Sequence, residues 1–157
     1  MSLPDVAPSR WNLVLGAVHD LLTATLTCPV SYGVPNDGDK VTDYVILGGI
    51  SDDDDGSGGE FTQSYRTMAG TASWRDESGS INAQVWAFDG DHAAVRATTD
   101  RAFTTLDTIA DALRGSIDLG DARTLRVEIE SGQVRLGQTN AGAMCVIDIQ
   151  ISYTAVI

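Results

Sequence analysis

The sequence predicts an α+β fold: a mostly antiparallel sheet with two helices packed on one face. Three observations carry this. Two well-separated stretches, near residues 11–25 and 95–113, repeat their apolar residues at helical spacing. The segments INAQVWAF and AMCVIDIQISYTAVI alternate apolar and polar residues with the period of a strand. The order reads as helix, two or three strands, helix, then three strands, an α+β layout.

The elements follow in order. Residues 1–8 hold two prolines and read as an extended arm. Ser9 is a candidate cap for a first helix, whose stripe is Trp11, Val14, Leu15, Val18, Leu21, Leu22 and Thr25. Cys28-Pro29 ends it, because a residue before proline avoids helical backbone. An extended piece and a turn at Pro35, Asn36 and Gly38 lead to the apolar strand TDYVILGG. A glycine-flanked acidic loop over 50–60 follows, then a strand-like stretch, FTQSYRTMAGTASW, and a turn at RDESGS. In the returning strand INAQVWAF, Ile81, Ala83, Val85 and Ala87 share one face, and Trp86 and Phe88 share the other, so both faces are at least partly covered. Asp89 or Asp91 caps the second helix. Val95, Ala102, Leu106, Ile109, Ala110 and Leu113 form its stripe, with Phe103 beside it and Gly115 at its end. TLRVEIESGQVRLG reads as a hairpin with Ser131-Gly132 at its tip, Leu125, Val127 and Ile129 alternating with Arg126, Glu128 and Glu130. In the last strand Cys145, Ile147, Ile149, Ile151 and Tyr153 face one way.

At 157 residues the chain reads as one domain, 1–157, with 43% hydrophobic residues and no need of staples. Its net charge of −12 disfavours gripping nucleic-acid phosphates or anionic membranes. Cys28 and Cys145 stand in no CxxC pair, and the N-terminal stretch has no secretory pattern and no long apolar run, which places the chain in a cytoplasm at synthesis.

The most conspicuous chemistry is the run Asp52, Asp53, Asp54 and Asp55. Adjacent side chains of an extended chain diverge, so at most two of these carboxylates converge. A calcium-loop register begun at Ser51 puts Asp53, Asp55 and Gly56 correctly but reaches Thr62 where a bidentate Glu belongs. The glycines argue against the rigid site that acid–base carboxylates need. His19 and His92 have no second histidine at ligand spacing, and there is no GxSxG elbow or phosphate loop. The sequence therefore predicts no enzyme, no cofactor and no metal. A small metal-dependent hydrolase using Asp52–Asp55 is the alternative from a different class. Long strands and hairpins are edges that must be paired or protected, and in a small domain they are natural assembly surfaces.

The order of segments resembles the phage tail terminator and tail-completion proteins of long-tailed phages. An amphipathic helix is followed by VSYGVPNDGDKVTDYVILGGI, a variable loop, a strand ending in a tryptophan, a helix near DHAAVRATTDRAF and an Ile/Val-rich last strand. The resemblance covers most of the chain and rests on order and spacing around Tyr32, Pro35, Tyr44, Leu47, Gly48 and Trp86. The loop 52–59 departs from it in being longer and more acidic. The resemblance implies a structural virion protein forming a homohexameric ring at the head-proximal end of the tail. Such a ring ends tube polymerisation and contacts the tail tube protein and the head-completion protein, while DNA passes through its lumen unread. Another head–tail connector is the alternative within assembly. On this reading Asp52, Asp53, Asp54, Asp55 and Glu60 belong to a lumen or interface loop, and Arg66, Trp74, Arg75, Arg126, Glu128 and Arg135 are candidate subunit or tube contacts.

Overall fold

The computed structural model describes residues 9–32, 42–48, 58–65, 75–116, 119 and 124–156. The elements run α1 (Trp11–Thr25), β1 (Val30–Ser31), β2 (Asp43–Leu47), β3 (Gly59–Tyr65), β4 (Arg75–Asp89), α2 (Val95–Gly115), β5 (Thr124–Thr139) and β6 (Gly142–Val156). They form a six-stranded sheet in the order β1-β2-β4-β6-β5, with β3 laid end-on to β2 along the same side of β4. Only β1 and β2 pair parallel; every other pairing is antiparallel. The fold is α+β, as the two periodicities predict.

The core lies between the helices and one face of the sheet. Val14, Val18 and Leu22 of α1 and Ala102, Ile109 and Leu113 of α2 are buried against Ile81, Ala83 and Val85 of β4 and Cys145, Ile147, Ile149 and Ile151 of β6. The strand residues are alternate ones, so one face of two long paired strands supplies a continuous apolar floor. On α2 the inward stripe is narrower than its sequence suggests: Val95, Leu106 and Ala110 are half-buried, whereas Thr98 is fully buried. Thr98 tolerates this because its hydroxyl donates to the Ala94 carbonyl at 2.7 Å. No described helix is long and apolar enough to cross a membrane.

Several local expectations are corrected. RDESGS is not a turn but the start of β4, which is paired by β3 on one side and β6 on the other. Two flanking ladders override the weak strand propensity of Ser and Gly. Ser131-Gly132 is not a hairpin tip. β5 runs through it, its register shifting between Thr124 and Arg126 and again between Ile129 and Ser131, and the chain reverses at Asn140-Ala141. Gly142 after that turn has φ 143°, and a Cβ there would lie 2.0 Å from the Asp89 carbonyl oxygen, so only glycine fits. The order is thus helix, four strands, helix, two strands, and the C-terminal strand is interior, leaving β5 as the outer strand.

The caps differ by a residue or more. Arg10 is the N-cap of α1, and Ser9 acts from one position earlier, its Oγ accepting the Trp11 N–H at 3.0 Å. α2 starts without a side-chain cap; Asp89 and Asp91 instead accept the Asp91 and Ala93 N–H groups in the approach to it. α1 ends at Thr25, with Leu26 already extended, three residues before Pro29. Gly115 is the last helical residue of α2, followed by Ser116 as C-cap. The arm 1–8, the Pro35–Gly38 turn and the Asp52–Asp55 run lie outside the described residues.

Candidate functional site

Strand alternation sends the even-numbered residues of β4 and β6 to the face away from the helices. Where β3, β4, β6 and β5 lie side by side, that face forms an open trough of about 350 Å³. Its floor is made of short hydroxyl side chains, Ser78 and Ser80 from β4 and Ser152 and Thr154 from β6. Glu60 and Thr62 stand on the β3 wall and Arg126, Glu128 and Glu130 on the β5 wall. Within the β5 wall Arg126 Nη2 meets Glu128 Oε2 at 2.6 Å, an exposed pair. Ser80 is only 5% exposed, and its Oγ has no hydrogen-bond partner among the described residues.

The opposite face at the same level is closed by a buried carboxylate. Glu77, fully buried, accepts hydrogen bonds from Ser9 Oγ (3.1 Å), the Arg10 N–H (2.9 Å), Gln63 Nε2 (2.8 Å) and the Tyr153 hydroxyl (2.7 Å). One acid thereby ties the start of α1, β3, β4 and β6 together. Four donors satisfy its lone pairs, the condition for burying a charge without ruinous cost. Tyr153 reaches it by lying across Gly79, where an added Cβ would come within 2.5 Å of the ring. Burial first, then the hydrogen bond and charge of Glu77, hold the Tyr153 phenol well above its ordinary range.

Further along the polar face a second chain of contacts crosses four strands. Tyr44 stacks on Trp86 at 5.5 Å; Trp86 Nε1 donates to Gln84 Oε1, Gln84 Nε2 to Asp148 Oδ1, and Arg135 pairs with Asp148 at 3.0 Å. At the sheet's end Arg101 of α2 binds Asp43 (3.1 Å), Asp89 (3.4 Å) and the Phe88 carbonyl (2.8 Å), pinning the helix to β2 and β4.

The structure therefore brings Glu60, Arg126 and Glu128 to one trough. It puts Arg135 on the same face but in the Asp148 pair, and Arg75 half-buried at the start of β4 opposite Tyr65. Asp52, Asp53, Asp54, Asp55, Arg66 and Trp74 lie outside the described residues. Sequence reading missed Ser80 and Glu77, which sit in the segment taken for a turn. The alternation Glu77-Ser78-Gly79-Ser80 was the available signal, hidden by residues that also favour turns.

Two apolar side chains are also out of place. Val134 and Leu136 of β5 lie opposite Ile147 and Cys145, hence on the helix side of the sheet, yet are 43% and 56% exposed. β5 is an edge strand, as β1 and β3 are elsewhere in the sheet, and no described strand pairs its outer edge.

Both cysteines are free, and burial, the leading cause in each case, pushes their thiols up, away from nucleophilic thiolate character. No three described His, Cys, Asp or Glu side chains gather closely enough to hold a metal ion. The sequence matches no protein-family model and no curated protein.

Proposed function

We propose that this chain is a structural subunit of a ring at the head-proximal end of a bacteriophage tail. There it ends tube polymerisation and joins the tail to head–neck proteins, with DNA passing through the lumen. The observation that carries the reading is β5: an edge strand whose outer edge no described strand pairs, bearing Val134 and Leu136 exposed on its helix side. An exposed strand edge beside apolar side chains invites pairing with another chain unless something covers it. A closed ring of head-to-tail contacts covers such a surface on every copy. The resemblance in segment order supports the same assembly, made in the host cytoplasm and resident in the virion.

Charge fits the role. Copies carrying −12 each repel DNA that passes close to them, so the duplex slides without being held. The effect reaches about 8 Å at physiological salt, so it acts only on lumen-lining groups. No catalytic step is assigned to the subunit.

The deciding experiment is electron microscopy of a phage lacking this protein. Overlong or headless tails are the expected result, and normal virions would overturn the reading. Native mass measurement of the purified chain gives a second test, with an assembly of several copies expected at micromolar concentration.

A further inference from the structure

The ring leaves the polar trough without a task, and its chemistry is specific. Arg126 is taken by Glu128, whereas among the described residues neither Glu60 nor Glu130 has an ion-pair partner. The two walls therefore present carboxylates over a floor of hydroxyls. Ser80 adds an independent sign: paired in register between Glu60 and Ser152, it is 5% exposed and its hydroxyl has no hydrogen-bond partner among the described residues. Buried polar groups are almost always satisfied, so such an orphan marks a place where a partner belongs.

We propose that the trough binds an extended, basic polypeptide segment of another protein, seating arginine or lysine side chains against Glu60 and Glu130, with the Ser80 hydroxyl bonded to the segment. This does not depend on the ring. Charge selects the partner: nucleic acid is repelled by the wall carboxylates, and a guanidinium or ammonium is attracted to them. A metal ion is not favoured, because no three described acidic groups converge on one point. The floor selects a peptide over a free polyamine. Its serine and threonine hydroxyls, with Gln150, both donate and accept, matching the amide N–H and C=O of a backbone; a polyamine offers donors alone. The short floor side chains also let a backbone approach the sheet. Glu60 and Glu130 stand on the two outer of these four strands, about 14 Å apart across the sheet, with Glu130 displaced two residues along β5 from Glu128, the residue level with Glu60, so a segment crossing the trough obliquely meets both.

The test is calorimetric titration of the full chain with a short capped peptide of alternating Arg and Ser. The same peptide with Glu for Arg, and spermidine, serve as comparison arms. Saturable binding of the basic peptide is expected, weakened by salt and reduced about fivefold or more in Glu60→Gln and in Ser80→Ala, as loss of one hydrogen-bonded partner implies. Ser80→Ala also reports on folding separately: removing an orphan hydroxyl is expected to leave the thermal midpoint at or above wild type. Should that variant not fold, Glu60→Gln, an exposed site, carries the test alone. Absence of saturation overturns the proposal. So does peptide binding that is equal in wild type and variants, which would mean diffuse attraction to an acidic surface. Spermidine binding as tightly as the peptide and equally sensitive to Glu60→Gln would overturn it in favour of a polyamine site.

Discussion

At the scale of single residues, Glu77 is the most consequential side chain. Replacing it by Ala leaves Ser9, Arg10, Gln63 and Tyr153 with donors aimed at a buried gap. The expected cost is about 3 kcal/mol, measured as a drop in the denaturant midpoint. Gly79→Ala is expected to cost about 1–3 kcal/mol, because Tyr153 occupies the space a methyl would need. Tyr153 also gives the molecule an alkaline limit. Its phenol is raised above an ordinary value of 10.0, so the folded state keeps a proton that the unfolded chain releases. That contribution is whole below about pH 10 and is lost as pH rises through the folded value. Denaturation followed from neutral to alkaline pH should show this loss, and Tyr153→Phe should flatten it. An unchanged slope in the variant would assign the limit to other groups.

At the scale of elements, the helices are held by their apolar stripes more than by their ends. α2 has no side-chain cap, so its position rests on Ile109 and Leu113 in the core and on Arg101 at the sheet's edge. Ile109→Ala is expected to cost about 2–5 kcal/mol by leaving a cavity, read from chemical denaturation. Arg101→Met should cost only about 1 kcal/mol, since its pairs are partly exposed and screened by salt. The comparison checks that packing, not ion pairing, fixes this helix. β5 teaches a related lesson. Its sequence carries a Ser-Gly pair that reads as a reversal, yet β6 alternates without interruption and offers a full-length partner. The long partner wins, and the extra residue is absorbed as a register irregularity.

At the scale of the whole molecule, the outer edge of β5, which no described strand pairs, and the −12 charge pull in opposite directions. Apolar Val134 and Leu136 favour association; like-charged copies oppose it. Leu136→Asp together with Val134→Asp is expected to leave the monomer folded, because both side chains are already exposed, and to abolish assembly by native mass measurement. Raising salt should shift the wild type toward the assembled state by screening repulsion. Assembly indifferent to both changes would overturn β5 as the contact surface of the proposed ring.

Much of this was present in the linear chain. Periodicity alone marks both helices and the buried faces of β4 and β6, because a core face must be apolar at every second or every third-to-fourth residue. Composition alone marks an acidic surface. Three things were decided only by tertiary contacts. Glu77 and its neighbours became a strand because ladders on both sides outweighed local turn preference. Glu60, Arg126, Glu128 and Ser80, far apart in sequence, became one trough because four antiparallel strands set them side by side. Val134 and Leu136 stand on the helix side of β5 yet remain exposed, which their alternation in the sequence does not reveal. Local preference is worth tenths of a kcal/mol per residue, whereas pairing along a whole strand acts on all of its residues together; where the two conflict in this chain, the partner strands prevail.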